Sequence, residues 1–273
     1  MFGGLTKTKK KPKSQQISSF SKLTWLPKNV IILYDFMSAI IFCDKEEHNM
    51  SNHKFYDLGV VCGRFGHEQL GHVSLFDSCM SLCKRTLILV GSAQESGTLR
   101  NPFRVETRID VIRETYPGES EETLMVRGIN DLTNEYDITS DWGKFVKSEV
   151  EYHKHKFANL MVYGNDEFRS KWFAPEDLIG TAELIIPRST IPISGTMVRG
   201  MLVINDESSW QKATHPLIHG MYGRLRDEIM SVPVYKEIYD RVRVGDLSLD
   251  NFMKVYRELE EKDKENKLAE LQK

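Results

Sequence analysis

From residue 56 onward, short apolar runs alternate with amphipathic stretches. The run 58–62 is apolar, carries two valines and stops at Gly63, as a short buried strand does. Val73, Phe76, Met80 and Cys83 follow at helical spacing. Residues 86–92 read as a second buried strand. Asn101-Pro102-Phe103 opens a helix over about 104–113, on which Val105, Ile109 and Ile112 share a face. The pattern continues with strand 123–128, helix 142–152, strand 157–163, strand 182–186 and a helix starting in 195–203. This alternation predicts an α/β domain, 50–205, with a parallel sheet, helices on both faces and right-handed crossovers. From 206 to 273 the pattern is helical and increasingly charged, which predicts a helical C-terminal subdomain and tail. Its last stretch, 258–273, reads as a solvated helix or as a binding device.

One junction in this pattern carries chemistry. After the first strand, Gly63, Gly66 and Gly71 permit a tight loop that leads straight into a helix. Such an arrangement aims unsatisfied N–H groups and a positive helix end at one point, which suits a phosphate. Arg64, His67 and His72 on the same loop are side chains able to meet anionic oxygens. The spacing matches neither the G-x-G-x-x-G dinucleotide loop nor the G-x-x-x-x-G-K-[ST] loop. In a parallel sheet the site is expected at the carboxyl ends of the strands, near the switch in strand order. The loops after the first, second and fourth predicted strands would converge there.

Residues 1–49 differ from the rest. Lysines 7, 9, 10, 11 and 13 form a basic tract, followed by Ser/Gln-rich sequence. The apolar stretch 30–43 is interrupted by Asp35 and is short for a bilayer span. It also lacks the position and cleavage site of a signal peptide. Lys45-Glu46-Glu47 can be encoded by a ribosome-binding purine run just upstream of Met50, so translation is expected to start at Met50. The rivals are a membrane-surface anchor, a basic targeting tail and a disordered extension.

A net charge of −2 over 273 residues gives no general pull toward nucleic acid or anionic membrane, and neither is expected as a partner. The four cysteines show no metal spacing, and Cys79 and Cys83 are expected as small buried hydrophobes on one helix. A reducing cytoplasm fits. The oligomeric state is open, a homo-oligomer included.

Two motifs together narrow the reading. Gly63-Arg64-Phe65 and Gly71-His72 resemble the G-R-F-x-x-x-H-x-G-H signature of the nucleotidylyltransferase superfamily, with Gln69 where its first histidine stands. Ile193-Ser194-Gly195-Thr196, followed by Arg199, is similar to that superfamily's I-S-x-T-x-x-R segment, which grips the triphosphate. The stretch 91–103, with Glu106 and Arg108, looks like the corresponding segment of nicotinamide-nucleotide adenylyltransferases of the archaeal and bacterial bifunctional type. Asn130-Asp131, then Asp141-Trp142, is similar to their segment after the third strand, and Gly164 to Asp166 with Arg169 and Trp172 matches more loosely.

The resemblance implies a Rossmann-like fold and adenylyl transfer from ATP to nicotinamide mononucleotide (NMN), with Mg²⁺ accompanying the ATP. It implies Gly63, Arg64, Phe65, Gly71, His72, Ser194, Thr196 and Arg199 as ATP-binding residues. His72, Gln69, Arg64 and Arg199 would carry the transfer, and Asn101, Arg100, Trp142 and Asp131 would bind the acceptor. No protein ligand to a metal is implied. An indole face attracts a cationic pyridinium by about 0.5–2 kcal/mol, so Trp142 is read either as that platform or as plain core. Gln69 can donate a hydrogen bond but carries no charge, and losing one charged donor costs on the order of 3 kcal/mol in a transition state. His67 could fill that gap if the loop differs in shape. The alternatives are a slower enzyme, a nucleotidylyltransferase for another phosphorylated metabolite, and a catalytically impaired nucleotide sensor.

Overall fold

The computed structural model describes residues 30–31, 54–132, 141–152, 160–164, 173–187 and 191–271. Its centre is a parallel sheet of six strands: β1 (Val30–Ile31), β2 (Tyr56–Gly63), β3 (Cys83–Val90), β4 (Leu124–Gly128), β5 (Leu160–Tyr163) and β6 (Ala182–Ile185). They lie in the order β1-β6-β5-β2-β3-β4, every neighbouring pair parallel. The chain runs outward from β2 through β3 to β4, then returns to the other side of β2. The strand order therefore reverses between β2 and β5, where crevices open at the carboxyl ends of such sheets. The loop after β2 leaves from that point.

The strands form because their alternate residues have two apolar faces to bury. Val61, Ile88, Val126, Val162 and Leu184 pack against Leu75, Phe76 and Cys79 of helix α1 (Leu70–Leu82) and Ile112 of α2 (Val105–Thr115). Val60, Leu87, Leu89, Met125 and Met161 pack on the opposite face against Val146 and Val150 of α3 (Asp141–Tyr152) and against Phe173. Period-2 burial on both sides is what a doubly covered parallel sheet requires.

A third core is entirely helical at its centre. It joins α4 (Gly195–Val203), α5 (Glu207–Ala213), α6 (Tyr222–Ser231), α7 (Pro233–Arg243) and α8 (Leu249–Leu271). Leu99, Phe103 and Val111 reach into it from the β3–α2 region. Trp210, Tyr235 and Phe252 are fully buried there. Among the described residues, no helix is long and apolar enough to cross a membrane.

From residue 56 onward, element boundaries follow the apolar pattern closely, with one correction. Cys83 does not share the helix of Cys79: α1 ends at Leu82, and Cys83 caps it with its N–H on Cys79 O while opening β3. Helix passes into strand with no loop between them. The charged pair Lys84 and Arg85 hides that start in the sequence, because both are exposed at the beginning of the strand. Both thiols are buried and free, as expected of small hydrophobes. Residues 1–29 and 32–53, which hold most of the N-terminal extension, lie outside the described residues, as do 157–159 of the expected fourth strand.

Candidate active site

The loop after β2 is built around backbone that an aromatic residue rarely adopts. Phe65 has φ 43° and Ser92, after β3, has φ 52°, so a left-handed residue follows each of the two adjacent central strands. Phe65 is tolerated there because its ring is buried edge-on against Phe76 at 5.0 Å and His72 at 5.1 Å. Gly63 leaves the space for that ring, since a Cβ there would lie 2.9 Å from Phe65 Cζ.

Beneath both turns sits Arg108 of α2. Its Nη1 donates to Arg64 O (2.8 Å) and Gly91 O (2.7 Å), and Nη2 donates to Ser92 O (2.9 Å). One buried guanidinium thus gathers three carbonyls from the two loops. Asp131 completes this support by accepting from Ser92 N–H at 3.2 Å and Gln94 Nε2 at 3.4 Å. Both predicted site segments after β3 and β4 therefore meet, although Asp131 is used in holding the loop.

Gln69 is the N-cap of α1, and its side-chain oxygen accepts from Gly71 N–H. That contact fixes the amide orientation: Oε1 is spent on the cap, and Nε2 is left as the donor. His72 stands in the first turn of the same helix, half-buried against Phe65.

His67 does not stand in for the missing histidine. It is 3% exposed, and its Nε2 accepts from Trp210 Nε1 at 3.1 Å. An indole N–H only donates, so the imidazole proton is on Nδ1, which donates to Glu68 O at 2.6 Å. Burial pulls its pKa down to about 4 and Arg199 nearby acts in the same direction, so His67 is a neutral structural residue. Adjacent Glu68 is also buried, hydrogen-bonded to Thr115 Oγ1 at 2.6 Å, and burial pushes its pKa up to about 8.

The second motif arrives from the far end of the chain. Ser194 caps α4, accepting from Met197 N–H at 3.2 Å. Arg199, one turn later, is 6% exposed. Its Nε donates to Tyr235 Oη at 2.8 Å, and its Nη2 donates to Tyr256 Oη and Thr196 Oγ1, each at 3.1 Å. Its Nη1 faces the glycine loop: a Cβ at Gly66 would lie 3.3 Å from it and one at Gly195 3.5 Å. The latter Cβ would also lie 3.5 Å from His67 O. The start of α4 therefore abuts the loop that leads into α1, and the two motifs form one site.

The charge of Arg199 is unusual in its setting. Burial opposes ionisation, but Tyr235 and Tyr256 outweigh it and hold the pKa above the ordinary arginine value. Among the described residues its hydrogen-bond partners are all hydroxyls. Among the described residues no carboxylate is bonded to it, so its charge stays available to an anionic ligand. Two helix N-termini and a cation in this arrangement are chemically suited to a phosphate.

The expected acceptor residues are arranged less uniformly. Asn101 is buried, with Nδ2 donating to Glu95 Oε2 at 2.8 Å. Arg100 pairs with Glu260 of α8 at 3.5 Å, while a Cβ at Gly66 would touch Arg100 O at 3.3 Å. The Arg100 backbone thus borders the loop. Trp142 is half-buried, edge-on to Phe145 at 5.8 Å and packed on the Val146 core, so part of its surface serves packing. Arg169 and Trp172 lie outside the described residues. Among the described residues, no three His, Cys, Asp or Glu side chains converge as a metal site.

Sequence reasoning missed Tyr235, Tyr256 and Trp210. One signal for the first was present: Tyr235, Ile238 and Val242 share the buried face of α7, and a tyrosine hydroxyl in such a face needs a partner.

Residues 60–204 match the cytidylyltransferase-like family, and that span contains both motifs. The nicotinamide-nucleotide adenylyltransferase of Aeropyrum pernix is 28% identical over 162 residues, 58% of this chain and 86% of its own length. The nicotinamide/nicotinic acid mononucleotide adenylyltransferase of Acinetobacter baylyi is 21% identical over 195 residues, 71% of this chain and 97% of its own. A bifunctional NMN adenylyltransferase/ADP ribose pyrophosphatase from Francisella tularensis shares the fold, with a TM-score of 0.51 at 18% identity. That match covers 69% of this chain and 54% of the Francisella structure, so the chain spans about half of it. With both motifs inside the matched span, and that match covering more than half its length, the chain belongs to the cytidylyltransferase-like family and is a nucleotidyltransferase.

Proposed function

We propose that this nucleotidyltransferase transfers the adenylyl group of ATP to nicotinamide mononucleotide, giving NAD and pyrophosphate. The observation that carries the reading is Arg199: a buried guanidinium, bonded among the described residues only to hydroxyls, with Nη1 turned to the Gly66 loop. The adenylyltransferases similar to this chain supply the choice of acceptor.

A phosphate oxygen of NMN attacks the α-phosphorus of ATP in line, a P–O bond forms as the α–β bridge breaks, and pyrophosphate leaves. The attacking phosphate is already nucleophilic at neutral pH, so positioning and charge stabilisation suffice. His72 donates to the α-phosphate as charge builds, and Arg64 with the loop N–H groups holds phosphates. Arg199, with Ser194 and Thr196, grips the departing pyrophosphate. Gln69 Nε2 supplies a neutral donor where the superfamily has a charged one. The donor set is cationic and N–H-rich and complements an anion, so Mg²⁺ enters with ATP as part of the substrate. Asn101, Arg100, Asp131 and Trp142 border the acceptor side. The free thiols of Cys62, Cys79 and Cys83 suit a reducing, cytoplasmic setting.

The test is pyrophosphate release by the purified chain with MgATP and NMN, beside a Gln69→His variant. NAD formation by the parent is the expected result. Turnover only in Gln69→His would make the native chain a nucleotide binder, a reading favoured by the uncharged Gln69. Failure of both folded proteins with NMN, but release with another phosphorylated acceptor in a panel, would overturn the choice of acceptor and keep the chemistry.

A further inference from the structure

Within the nucleotidyl-transfer reading, on which this rests, we propose that Tyr235 and Tyr256 are positioning residues that aim Arg199 at the leaving pyrophosphate. The two tyrosines come from different C-terminal helices, α7 and α8, yet their hydroxyls converge on one guanidinium and one carbonyl. Tyr235 Oη accepts from Arg199 Nε and donates to Leu99 O at 2.7 Å. Tyr256 Oη accepts from Arg199 Nη2 and donates to Leu99 O at 3.3 Å. Its ring also lies under the guanidinium, with Arg199 Cζ 5.7 Å from the centroid.

The choice of phenol over carboxylate has a consequence. A carboxylate would hold the guanidinium as firmly but would neutralise the charge that an anionic ligand needs. A phenol accepts the hydrogen bond and leaves the charge available. With Nε and Nη2 both engaged, the planar fork is locked, and Nη1 has one direction left, toward Gly66 and Gly195. The same hydroxyls anchor Leu99, whose successors Arg100 and Asn101 border the acceptor side. The triphosphate-binding arginine and the acceptor loop therefore share one support, supplied by the tail of the chain.

The experiment measures binding of MgATP and of inorganic pyrophosphate to the full chain by calorimetry. It compares the parent with Tyr235→Phe, Tyr256→Phe and the double variant, each also in an Arg199→Met background, with thermal midpoints recorded for all. We expect each phenylalanine to weaken pyrophosphate binding about fivefold, and the pair about twentyfold or more. In Arg199→Met the same changes should have no further effect, because a residue acting through Arg199 is silent without it. Folded phenylalanine variants that bind like the parent would overturn the inference while leaving the nucleotide reading intact. Equal losses in the Arg199→Met background would also overturn it, by assigning the tyrosines to the scaffold. A parent that binds neither probe would overturn both readings. Should a variant fail to fold, proton exchange of the Arg199 Nε–H in the ligand-free parent decides: slow exchange is expected, and fast exchange with free guanidinium rotation sinks the proposal.

Discussion

Glu68 and His67 are consecutive buried titratable residues in the glycine loop, and their pKa values move in opposite senses. Burial raises Glu68 to about 8, so the folded protein holds a proton there that the unfolded chain has released above its ordinary pKa of 4.5. Stability from this group is full below pH 4.5 and falls as pH rises to 8. Burial lowers His67 to about 4, so the unfolded chain binds a proton below its ordinary pKa of 6.5 that the fold excludes. Stability from this group is full above pH 6.5 and is lost as pH falls toward 4. The two oppose each other between 4.5 and 6.5, and of the pair only Glu68 acts from 6.5 to 8. Denaturant titrations should show Glu68→Gln gaining about 2 kcal/mol on the parent across pH 6.5–8. His67→Gln should lose less stability than the parent on acidification from 6.5 to 4. Parallel pH profiles for variant and parent would refute either assignment. Both histidines of the loop look alike in the sequence; only burial and the Trp210 indole separate the structural one from the one at the site.

At the scale of elements, the junction of α1 with β3 depends on Gly59 of β2. A Cβ there would collide with Cys79 Sγ and lie 2.5 Å from Cys83 Sγ. Gly59→Ala should therefore cost about 1–3 kcal/mol by overpacking, with part of the loss restored by Cys79→Ala. Chemical denaturation of the single and double variants checks this, and an unperturbed Gly59→Ala would contradict the packing. The start of α2 shows a different dependence. Its N-cap, Arg104, makes no side-chain cap; instead Glu228 of α6 accepts from Arg104 N–H at 3.2 Å and from Thr107 Oγ1 at 2.9 Å. Local sequence at 101–107 marks where the helix begins, but its cap comes from more than a hundred residues away.

At the scale of the whole molecule, the C-terminal helices belong to the site. They share a core with Leu99, Phe103 and Val198, and α8 crosses α4 at Gly200, where a Cβ would meet Phe252 Cδ1 at 2.5 Å and Leu249 Cδ1 at 2.7 Å. Gly200→Ala should push α8 away and carry Tyr256, one turn beyond Phe252, off Arg199. The expected outcome is a loss of about 1–3 kcal/mol in stability together with weaker MgATP binding at temperatures where the protein remains folded. Lost stability with unchanged ATP affinity would show that α8 is only packing. Within the charged stretch 258–273, Lys267 pairs with Asp263 and Glu260 reaches Arg100.

The sequence by itself determined strands β2 to β6, most helix boundaries and the two motifs at the loop after β2 and the start of α4. These depend on local quantities: apolar period, glycine placement and capping residues read within a few positions of one another. Helix 195–203 and its Ser194 cap were legible for that reason. Tertiary structure decided which polar residues are used where, because burial and hydrogen bonding join positions far apart in the chain. It withdrew His67 into the core beside Trp210, spent Gln69 Oε1 on the α1 cap, and brought Arg108 under the turns after β2 and β3. It also enclosed Arg199 with two tyrosines from the tail, 36 and 57 residues away. A charge can be read in a sequence, but whether it is buried and what it is bonded to exist only once the chain has packed.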